Sequence, residues 1–252
     1  MVGVRYVASC SFGKDSTAMV LKLIEEGKPL DEVAFYDTGM EFEAIYKVRD
    51  MLIPIIKNTG IEYTELRPEE NFLYSMLAKP VRSDKKGFHY GYGWCGGLCR
   101  WGTTQKTQII DSHTKGCHVY VGIAADEPKR LERLTENKSA PLAEWGMNEK
   151  DCLEYCWSKG VSWGENGVDL YDILDRVSCW CCCNKNRKEL KAIWKYLPGY
   201  WEKLKALQIR LSERPMKKFS SKEHGIYGNL LELEEVFKQE EMKGQTWNIL
   251  SL

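Results

Sequence analysis

The chain has 252 residues, of which 43% are hydrophobic, and a formal net charge of +0. This length allows one sizeable domain, or a domain with a smaller appendage. The zero net charge argues against electrostatic attraction of the whole chain to nucleic acid, although a local basic face remains compatible with it. No apolar run approaches the roughly 20 residues of a membrane span, and no signal segment precedes the first predicted strand. We therefore expect a cytoplasmic protein without a membrane partner.

The first 125 or so residues alternate short apolar runs with amphipathic stretches, which predicts a parallel α/β sheet. The predicted strands are residues 4–8, 32–36, 61–66 and 119–123. Helices are predicted over residues 16–26 and 43–58, the second interrupted or kinked at Pro54.

The later part of the chain is less regular. Residues 79–97, rich in glycine, lysine and aromatics, predict a mobile loop over the sheet edge. Residues 185–211 return to a helical rhythm that Pro198 and Gly199 divide into two helices. We expect a nucleotide-binding domain over residues 1–145 and a smaller helical region that carries a cysteine cluster over residues 146–252.

A Gly-Lys turn follows the first predicted strand. Residues 11–16 read Ser-Phe-Gly-Lys-Asp-Ser and open the first predicted helix. The N–H groups of a helix N-terminus stabilise an anion, Gly13 permits close backbone approach, and Lys14 adds a full charge. The spacing is not that of a Walker A loop. The sequence therefore indicates a phosphate-binding turn, with an ordinary strand-to-helix turn as the alternative.

Acidic residues follow two further strands. Asp37 begins an Asp-Thr-Gly turn after the second strand, and Asp126 lies just past the fourth, ahead of Lys129 and Arg130. Open α/β sheets bind ligands at the carboxyl edge of their strands. Asp37 is thus a candidate to contact a ribose or Mg²⁺, and Asp126 to bind metal, while helix capping and surface ion pairing are the alternatives.

These three motifs together resemble the phosphoadenosine phosphosulfate (PAPS) reductase-like branch of the PP-loop ATP pyrophosphatase superfamily. The resemblance covers residues 4 to about 205 and implies a doubly wound parallel sheet of the adenine nucleotide alpha-hydrolase type. It implies catalytic roles for Lys14, Asp15, Asp37 and Asp126. The nucleotide-binding residues it implies are Ser11, Phe12, Gly13, Lys14, Asp15, Ser16, Asp37, Thr38, Gly39, Arg100, Lys106, Gly122 and Arg130.

Members of this branch either reduce a sulfonucleotide or use ATP, with Mg²⁺, to adenylate an acceptor. Reductases attack with a cysteine in a Glu-Cys-Gly-x-His-like tail, whereas the nearest match here is Glu223-His224-Gly225. Histidine cannot form a thiosulfonate, so we favour ATP-dependent sulfur transfer to a nucleic acid or small molecule. Reduction of PAPS or adenosine phosphosulfate is the alternative, and a nucleic-acid-binding component of a sulfur-modification or defence complex is the second.

The 10 cysteines are the other informative feature. Cys152 and Cys156, followed by Cys179 and Cys182, predict a site with four sulfur ligands; Cys95 and Cys99 are an alternative first pair. Spacing alone does not separate zinc from iron–sulfur. The resemblance favours a [4Fe–4S] cluster, with structural Zn²⁺ as the alternative. Cys181 and Cys183 suggest a persulfide role and a sulfur-donor protein as partner.

Residues 185–222 combine Lys and Arg with interleaved aromatics, including Trp194 and Trp201. Cations with stacking rings suit a nucleic acid, such as tRNA or DNA. The alternative is a solvated pair of helices whose aromatic rings face the core, near an acidic segment that contains Glu234 and Glu240.

Overall fold

The computed structural model describes residues 3–83, 87–95, 98–212 and 229–250, with side chains described to residue 243. The chain forms two compact units, and each is discontinuous in sequence. Unit 1 comprises Met1–Glu69 and Trp101–Glu165, and unit 2 comprises Glu70–Arg100 and Asn166–Leu252.

A five-stranded parallel sheet is the centre of unit 1. Its strands are β1 (Tyr6–Ser9), β2 (Glu32–Tyr36), β3 (Glu62–Leu66), β6 (His118–Val121) and β7 (Lys138–Ser139), in the order β3-β2-β1-β6-β7. The chain thus steps outward from β1 to one edge and then returns to the other side of β1. This reversal defines a doubly wound sheet and creates the switch point beside β1 at which such folds bind ligands. The predicted fold class is confirmed.

Helices connect these strands and supply the rest of unit 1. They are α1 (Lys14–Glu25), α2 (Glu43–Asn58), α4 (Lys106–His113), α5 (Pro128–Leu131), α6 (Pro141–Glu144) and α7 (Glu149–Ser158). A π-helix, Arg100–Gln105, leads into α4. The helix α2 is not interrupted at Pro54, because that residue lies on the exposed side, where water can bond the carbonyl left without an N–H partner.

Unit 2 contains the elements that sequence reasoning described least well. They are α3 (Phe72–Leu77), β4 (Pro80–Ser83), β5 (Gly87–Tyr90), β9 (Val168–Asp169), α8 (Leu170–Ile173), α9 (Arg187–Tyr196), α10 (Pro198–Ser212) and α11 (Leu230–Leu250); a short strand, β8 (Gly164–Glu165), ends unit 1. The division between α9 and α10 at Pro198 is confirmed. The loop predicted over residues 79–97 is wrong in part, because β4 and β5 pair as an antiparallel ladder.

The described helices include none that is long and apolar enough to cross a membrane. The central strands of the sheet supply much of the core of unit 1. All five residues of β2 are buried, as are Val7 and Ala8 of β1. Apolar side chains on both faces of a central parallel strand are the pattern expected when helices cover both faces.

Gly122, just past β6, provides the first test of this architecture. A Cβ atom there would lie 2.8 Å from both the Cα and the N of Ser16, in the first turn of α1. Since backbone atoms cannot move aside cheaply, we expect Gly122→Ala to lower the free energy of unfolding by about 1–3 kcal/mol and the melting temperature by several degrees. Circular dichroism melting curves measure both.

Gly164→Ala is the matched control, because a Cβ at that position meets nothing within 4 Å and the backbone is not in the left-handed region. The control should melt within about one degree of the parent chain, as surface substitutions usually do. Equal melting temperatures for the two variants would contradict the close packing of β6 against α1.

Candidate nucleotide-binding site and cysteine sites

The turn at residues 11–16 is closed by its own hydroxyl groups. The Ser11 N–H donates to Ser16 Oγ over 3.1 Å, and the two serine Oγ atoms are also 3.1 Å apart. Ser16 Oγ in turn lies 3.2 Å from the carbonyl oxygen of Gly13, to which it donates. These bonds tie the beginning of the turn to the first turn of α1, so the turn is a defined shape.

Phe12 gives the turn its bend. Its φ of 56° lies in the left-handed region that a bulky residue rarely adopts, at a cost of about 1–2 kcal/mol. Packing holds it there: the ring is fully buried and meets the ring of Phe35 edge-on at 5.1 Å. Trp163 Nε1 also donates to the Phe12 carbonyl over 2.8 Å. Strain of this kind is characteristic of functional turns.

The N-terminus of α1 has features that favour the binding of an anion. Its N-cap residue is Gly13, which has no side chain to bond the first N–H groups, and no side-chain cap is present among the described residues. The end of β6 approaches this turn so closely that position 122 has no room for a Cβ. The carboxyl ends of β1 and β6 flank the turn, which therefore lies at the switch point of the sheet.

Lys14 is buried within this site and is held by two carboxylates. Its Nζ lies 2.9 Å from Asp15 Oδ1 and 2.7 Å from Glu149 Oε2. Burial alone would lower the pKa of Lys14, but Asp15 and Glu149 more than offset that effect and raise it. Burial raises the pKa of Asp15 against the opposing effect of Lys14, with Glu149 and Glu127 adding to the rise. The site thus places a charged lysine among acidic groups.

The two other acids predicted for the site, Asp37 and Asp126, have structural partners. Asp37 Oδ1 accepts from the Gly39 N–H and from Tyr46 Oη, both over 2.8 Å. Arg67 lies 3.5 Å from the other carboxylate oxygen of Asp37. Asp126 Oδ1 accepts from the N–H of Glu149 over 3.1 Å, at the start of α7. Both acids therefore brace turns at the carboxyl edge of the sheet.

The other predicted nucleotide ligands are distributed between the two units. In unit 1, Arg130 pairs with Glu127 at 2.7 Å, and Lys106 begins α4. In unit 2, the Arg100 guanidinium lies 4.0 Å from the centre of the Tyr92 ring. Thr38 donates to Glu41 Oε1 over 2.8 Å, next to Asp37. Their predicted roles toward a nucleotide stay predictions.

Cys152 and Cys156 are core residues of α7 in unit 1. Both side chains are fully buried, and Cys156 Sγ donates to the Lys14 carbonyl over 3.4 Å. Burial raises the pKa of Cys152 to about 12 and raises that of Cys156 as well. Both are therefore neutral thiols at physiological pH, and they pack behind the Gly-Lys turn.

The cysteines of unit 2 have a different environment. A hydrogen bond from Cys99 lowers the pKa of Cys95 to about 6 against the effect of burial, and the Arg100 N–H contributes to the lowering. Cys183 Sγ donates to the Cys95 carbonyl over 2.6 Å. Cys95, of the alternative pair with Cys99, is thus brought beside the dense cysteine run, and its lowered pKa favours the thiolate form.

A buried lysine borders the same run. Lys185 is 4% exposed and donates to Ser178 Oγ over 3.2 Å. Burial lowers the pKa of Lys185, while Glu189 and the thiols of Cys182 and Cys179 act in the opposite direction. The Cys182 N–H bonds the Cys179 carbonyl over 3.0 Å, which folds the run into a tight turn.

All ten cysteines are thiols and lie in the described part of the chain. Cys152 and Cys156 are in unit 1, and Cys179 and Cys182 are in unit 2. Within the described residues, no group of three or more His, Cys, Asp and Glu side chains converges closely enough for a single metal ion. The predicted four-ligand set stays a prediction.

The basic stretch has an acidic counterpart. Cations of α9 and α10 pair with α11: Arg187 and Lys191 with Glu240, Lys195 with Glu241, and Lys205 with Glu234. The rings of Trp194 and Trp201 pack near that of Phe237, at 5.6 and 5.9 Å. In the described part of this stretch, four cations therefore pair with α11 and the two tryptophan rings pack near Phe237, whereas Tyr196 is 39% exposed. A role toward a nucleic acid stays a prediction. The stretch beyond residue 212, like Glu223-His224-Gly225, lies outside the described residues.

Several functional neighbours were missed by the sequence analysis. Glu149, the second partner of Lys14, lies 135 residues away in the chain, and Trp163 reaches Phe12 from a similar distance. A local signal for Glu149 did exist. Asn148 and Asp151 form a capping box, a pattern that predicts a helix starting at Glu149.

Similar proteins occur among curated proteins and among solved structures. No family model matches the chain. Among solved structures, the U34-tRNA thiolase NcsA from Methanococcus maripaludis, with its [4Fe–4S] cluster, is 14% identical at a TM-score of 0.44, over 83% of this chain and 73% of that one. An uncharacterized protein of Methanocaldococcus jannaschii, MJ0066, is 28% identical over 215 residues. That match covers 77% of this chain and 39% of MJ0066, so the chain spans about two-fifths of the length of this relative.

Proposed function

We propose that this chain is a PP-loop-type enzyme that binds ATP at the Gly-Lys turn and uses it to adenylate an acceptor for sulfur transfer. The observation that carries the proposal is the site around α1: an N-terminus without a side-chain cap, a buried Lys14, and a backbone approach at Gly122 that excludes a Cβ. N–H groups, a lysine and close backbone approach are the features that bind phosphate chains.

The geometry supports a defined role for Lys14. In the structure its Nζ is neutralised by Asp15 and Glu149. An arriving pyrophosphate group would share this ammonium, and Mg²⁺ bound to ATP would offset the repulsion between phosphate and the nearby carboxylates. The lysine and the helix N-terminus then stabilise the charge that develops on leaving pyrophosphate, which is a preorganised electrostatic effect.

The reaction we propose has two substitutions. An acceptor oxygen attacks the α-phosphorus of ATP, the bond to the bridging oxygen breaks, and pyrophosphate leaves. A sulfur nucleophile then attacks the activated carbon of the acceptor, and AMP departs with the acceptor oxygen. The acceptor is a nucleic acid or a small molecule, and sulfur reaches the chain from a donor protein.

Unit 2 supplies the sulfur chemistry in this proposal. Thiolate is the form of cysteine that attacks sulfur and binds metal, and Cys95 is the cysteine whose pKa is lowered. Thiolates are the usual ligands of a [4Fe–4S] cluster, so the cysteines of unit 2 are chemically suitable donors. The four thiolates of a cluster bind different iron atoms, whereas a structural zinc ion binds all four of its ligands itself. Cys95, Cys99, Cys179 and Cys182 are the residues we propose to hold it. A bound cluster would hold sulfur for transfer.

The ATP-binding role predicts the behaviour of Lys14→Met, which keeps the buried aliphatic stem and removes the charge. We expect pyrophosphate release from ATP, measured with the acceptor present, to fall about 100-fold or more, as for loss of one preorganised donor. Lys57→Met, at an exposed lysine in the last turn of α2, is the matched control and should retain the parent rate.

Two outcomes would contradict this role. One is pyrophosphate release by Lys14→Met at the parent rate. The other is sulfite release from PAPS or adenosine phosphosulfate with a thiol donor and no consumption of ATP, which would establish the sulfonucleotide reductase instead.

If Cys95 and Cys99, and not Cys152 and Cys156, bind the cluster, replacing the two pairs should have different effects on bound iron and on thermal stability. After anaerobic purification, Cys95→Ser with Cys99→Ser should lose bound iron and the absorbance near 400 nm, while the melting temperature changes little. Cys152→Ser with Cys156→Ser should keep iron but melt lower, because two buried thiols become hydroxyls. The reverse pattern would restore Cys152 and Cys156 as ligands. If the purified protein contained zinc and no iron, the cysteines would form a structural zinc site and not an iron–sulfur cluster.

The lowered pKa of Cys95 predicts a pH profile for the metal-free protein. Alkylation of Cys95 by iodoacetamide, followed by peptide mass spectrometry, should reach half of its maximal rate near pH 6, because the thiolate is the reactive form. Cys99→Ala removes the largest cause of the lowering and should move this midpoint to higher pH. An unchanged midpoint in Cys99→Ala would show that the hydrogen bond does not set the pKa.

A further inference from the structure

The hairpin of unit 2 exposes two aromatic rings. Phe88 is 50% exposed and Tyr90 is 43% exposed, although both lie in a regular strand, β5. Successive side chains of a strand point to opposite faces, so these two rings share one face while His89, which is buried, occupies the other. The rings meet edge-on with their centres 5.2 Å apart.

The register of the hairpin adds a cation to this face. Arg82 of β4 pairs with Phe88, and Pro80 pairs with Tyr90. All four residues are exposed. We call this set, Pro80, Arg82, Phe88 and Tyr90, the aromatic face; it carries one guanidinium and no acidic side chain among the described residues.

The surrounding segment is strongly basic. In sequence, residues 79–100 contain five Lys and Arg residues and one Asp, a formal charge of +4 in a chain whose net charge is +0. Asp84, Lys85 and Lys86 lie outside the described residues, and the described cations are Lys79, Arg82 and Arg100. Arg100 of the same segment already stacks on the Tyr92 ring, at 4.0 Å from its centre. Lys79 is balanced by Glu70. The charge of this segment therefore complements a polyanion.

The combination of exposed rings and cations favours a single-stranded nucleic acid over a duplex. Exposed aromatic rings on a rigid strand offer flat surfaces on which bases stack, and a nearby arginine contacts the phosphate backbone. A duplex hides the faces of its bases within the stack and offers mainly phosphate to such a surface. A nucleic acid with unpaired bases is the ligand that could use both the rings and the positive charge of this face.

We propose that the aromatic face binds a single-stranded nucleic acid, with bases stacked on Phe88 and Tyr90 and a phosphate held by Arg82. This goes beyond the proposed function, because it assigns a binding surface in unit 2 that needs neither ATP nor the Gly-Lys turn. It also differs from the contact predicted at residues 185–222, where four of the eight described cations pair with acids of α11.

The test is the affinity of the whole chain for fluorescein-labelled 12-nucleotide RNA and DNA of mixed sequence, measured by fluorescence anisotropy without ATP. Phe88→Leu with Tyr90→Leu keeps both positions apolar and removes the rings. We expect this double variant to bind about 5- to 100-fold more weakly, as for loss of base–aromatic stacking. Phe88→Trp with Tyr90→Trp should bind at least as tightly as the parent.

Two further variants test the phosphate contact and control for the removal of an exposed ring elsewhere. Arg82→Gln should reduce the slope of log affinity against log salt by about 0.7, as for one phosphate contact with a single strand. Trp157→Ala removes an equally exposed ring from α7, 43% exposed in unit 1, and should bind like the parent. Circular dichroism spectra and melting curves confirm that each variant is folded.

Three results would overturn the proposal. The first is unchanged affinity in the folded leucine double variant. The second is a loss of affinity in Tyr196→Ala, within the basic stretch, without a loss in the hairpin variants. The third is a dimer of the parent chain that the leucine variant alone disrupts, which would make the aromatic face a protein interface.

Discussion

The packing of α1 against the end of β6 is the constraint on which unit 1 depends. The first turn of α1 reaches that position only because residue 122 has no side chain, and a single carbon atom there would overlap the backbone of Ser16. This contact places the helix N-terminus at the switch point of the sheet, next to the ends of β1 and β6. Lys14 and Asp15 lie in this first turn, and Glu149, the partner of Lys14, lies against it.

Unit 2 contains a cysteine with a different environment. A hydrogen bond from Cys99 opposes the effect of burial and lowers the pKa of Cys95, whose carbonyl accepts from Cys183. The cysteines behind the Gly-Lys turn, Cys152 and Cys156, have the opposite environment, in which burial dominates. Cys95 thus differs from Cys152 and Cys156 in its local electrostatics, which a count of cysteines does not reveal.

The sequence was sufficient for features that depend on local patterning. The bounds of β2 and α2 and the break before Pro198 were predicted, because apolar periodicity and proline act within a few residues. The hairpin over β4 and β5 was missed because its strands are short and because the usual pattern is reversed in β5: the rings of Phe88 and Tyr90 are exposed, whereas the polar His89 is buried. The ion-pair partners of the basic stretch could not be predicted for a different reason: they are distant in sequence, as Glu240 is about 50 residues from Arg187 and Lys191.

The conformation of Phe12 has a consequence for the energetics of the whole unit. Its left-handed backbone is unfavourable for an isolated turn, and packing against Phe35 and the bond from Trp163 are what maintain it. The Gly-Lys turn therefore takes its shape only when the sheet and the distant Trp163 segment are assembled. A ligand that recognises this shape binds the native state and not the unfolded chain, so occupancy of the turn is linked by mass action to the folding equilibrium of unit 1. The cellular concentration of that ligand would then help set how long the protein survives unfolding and proteolysis.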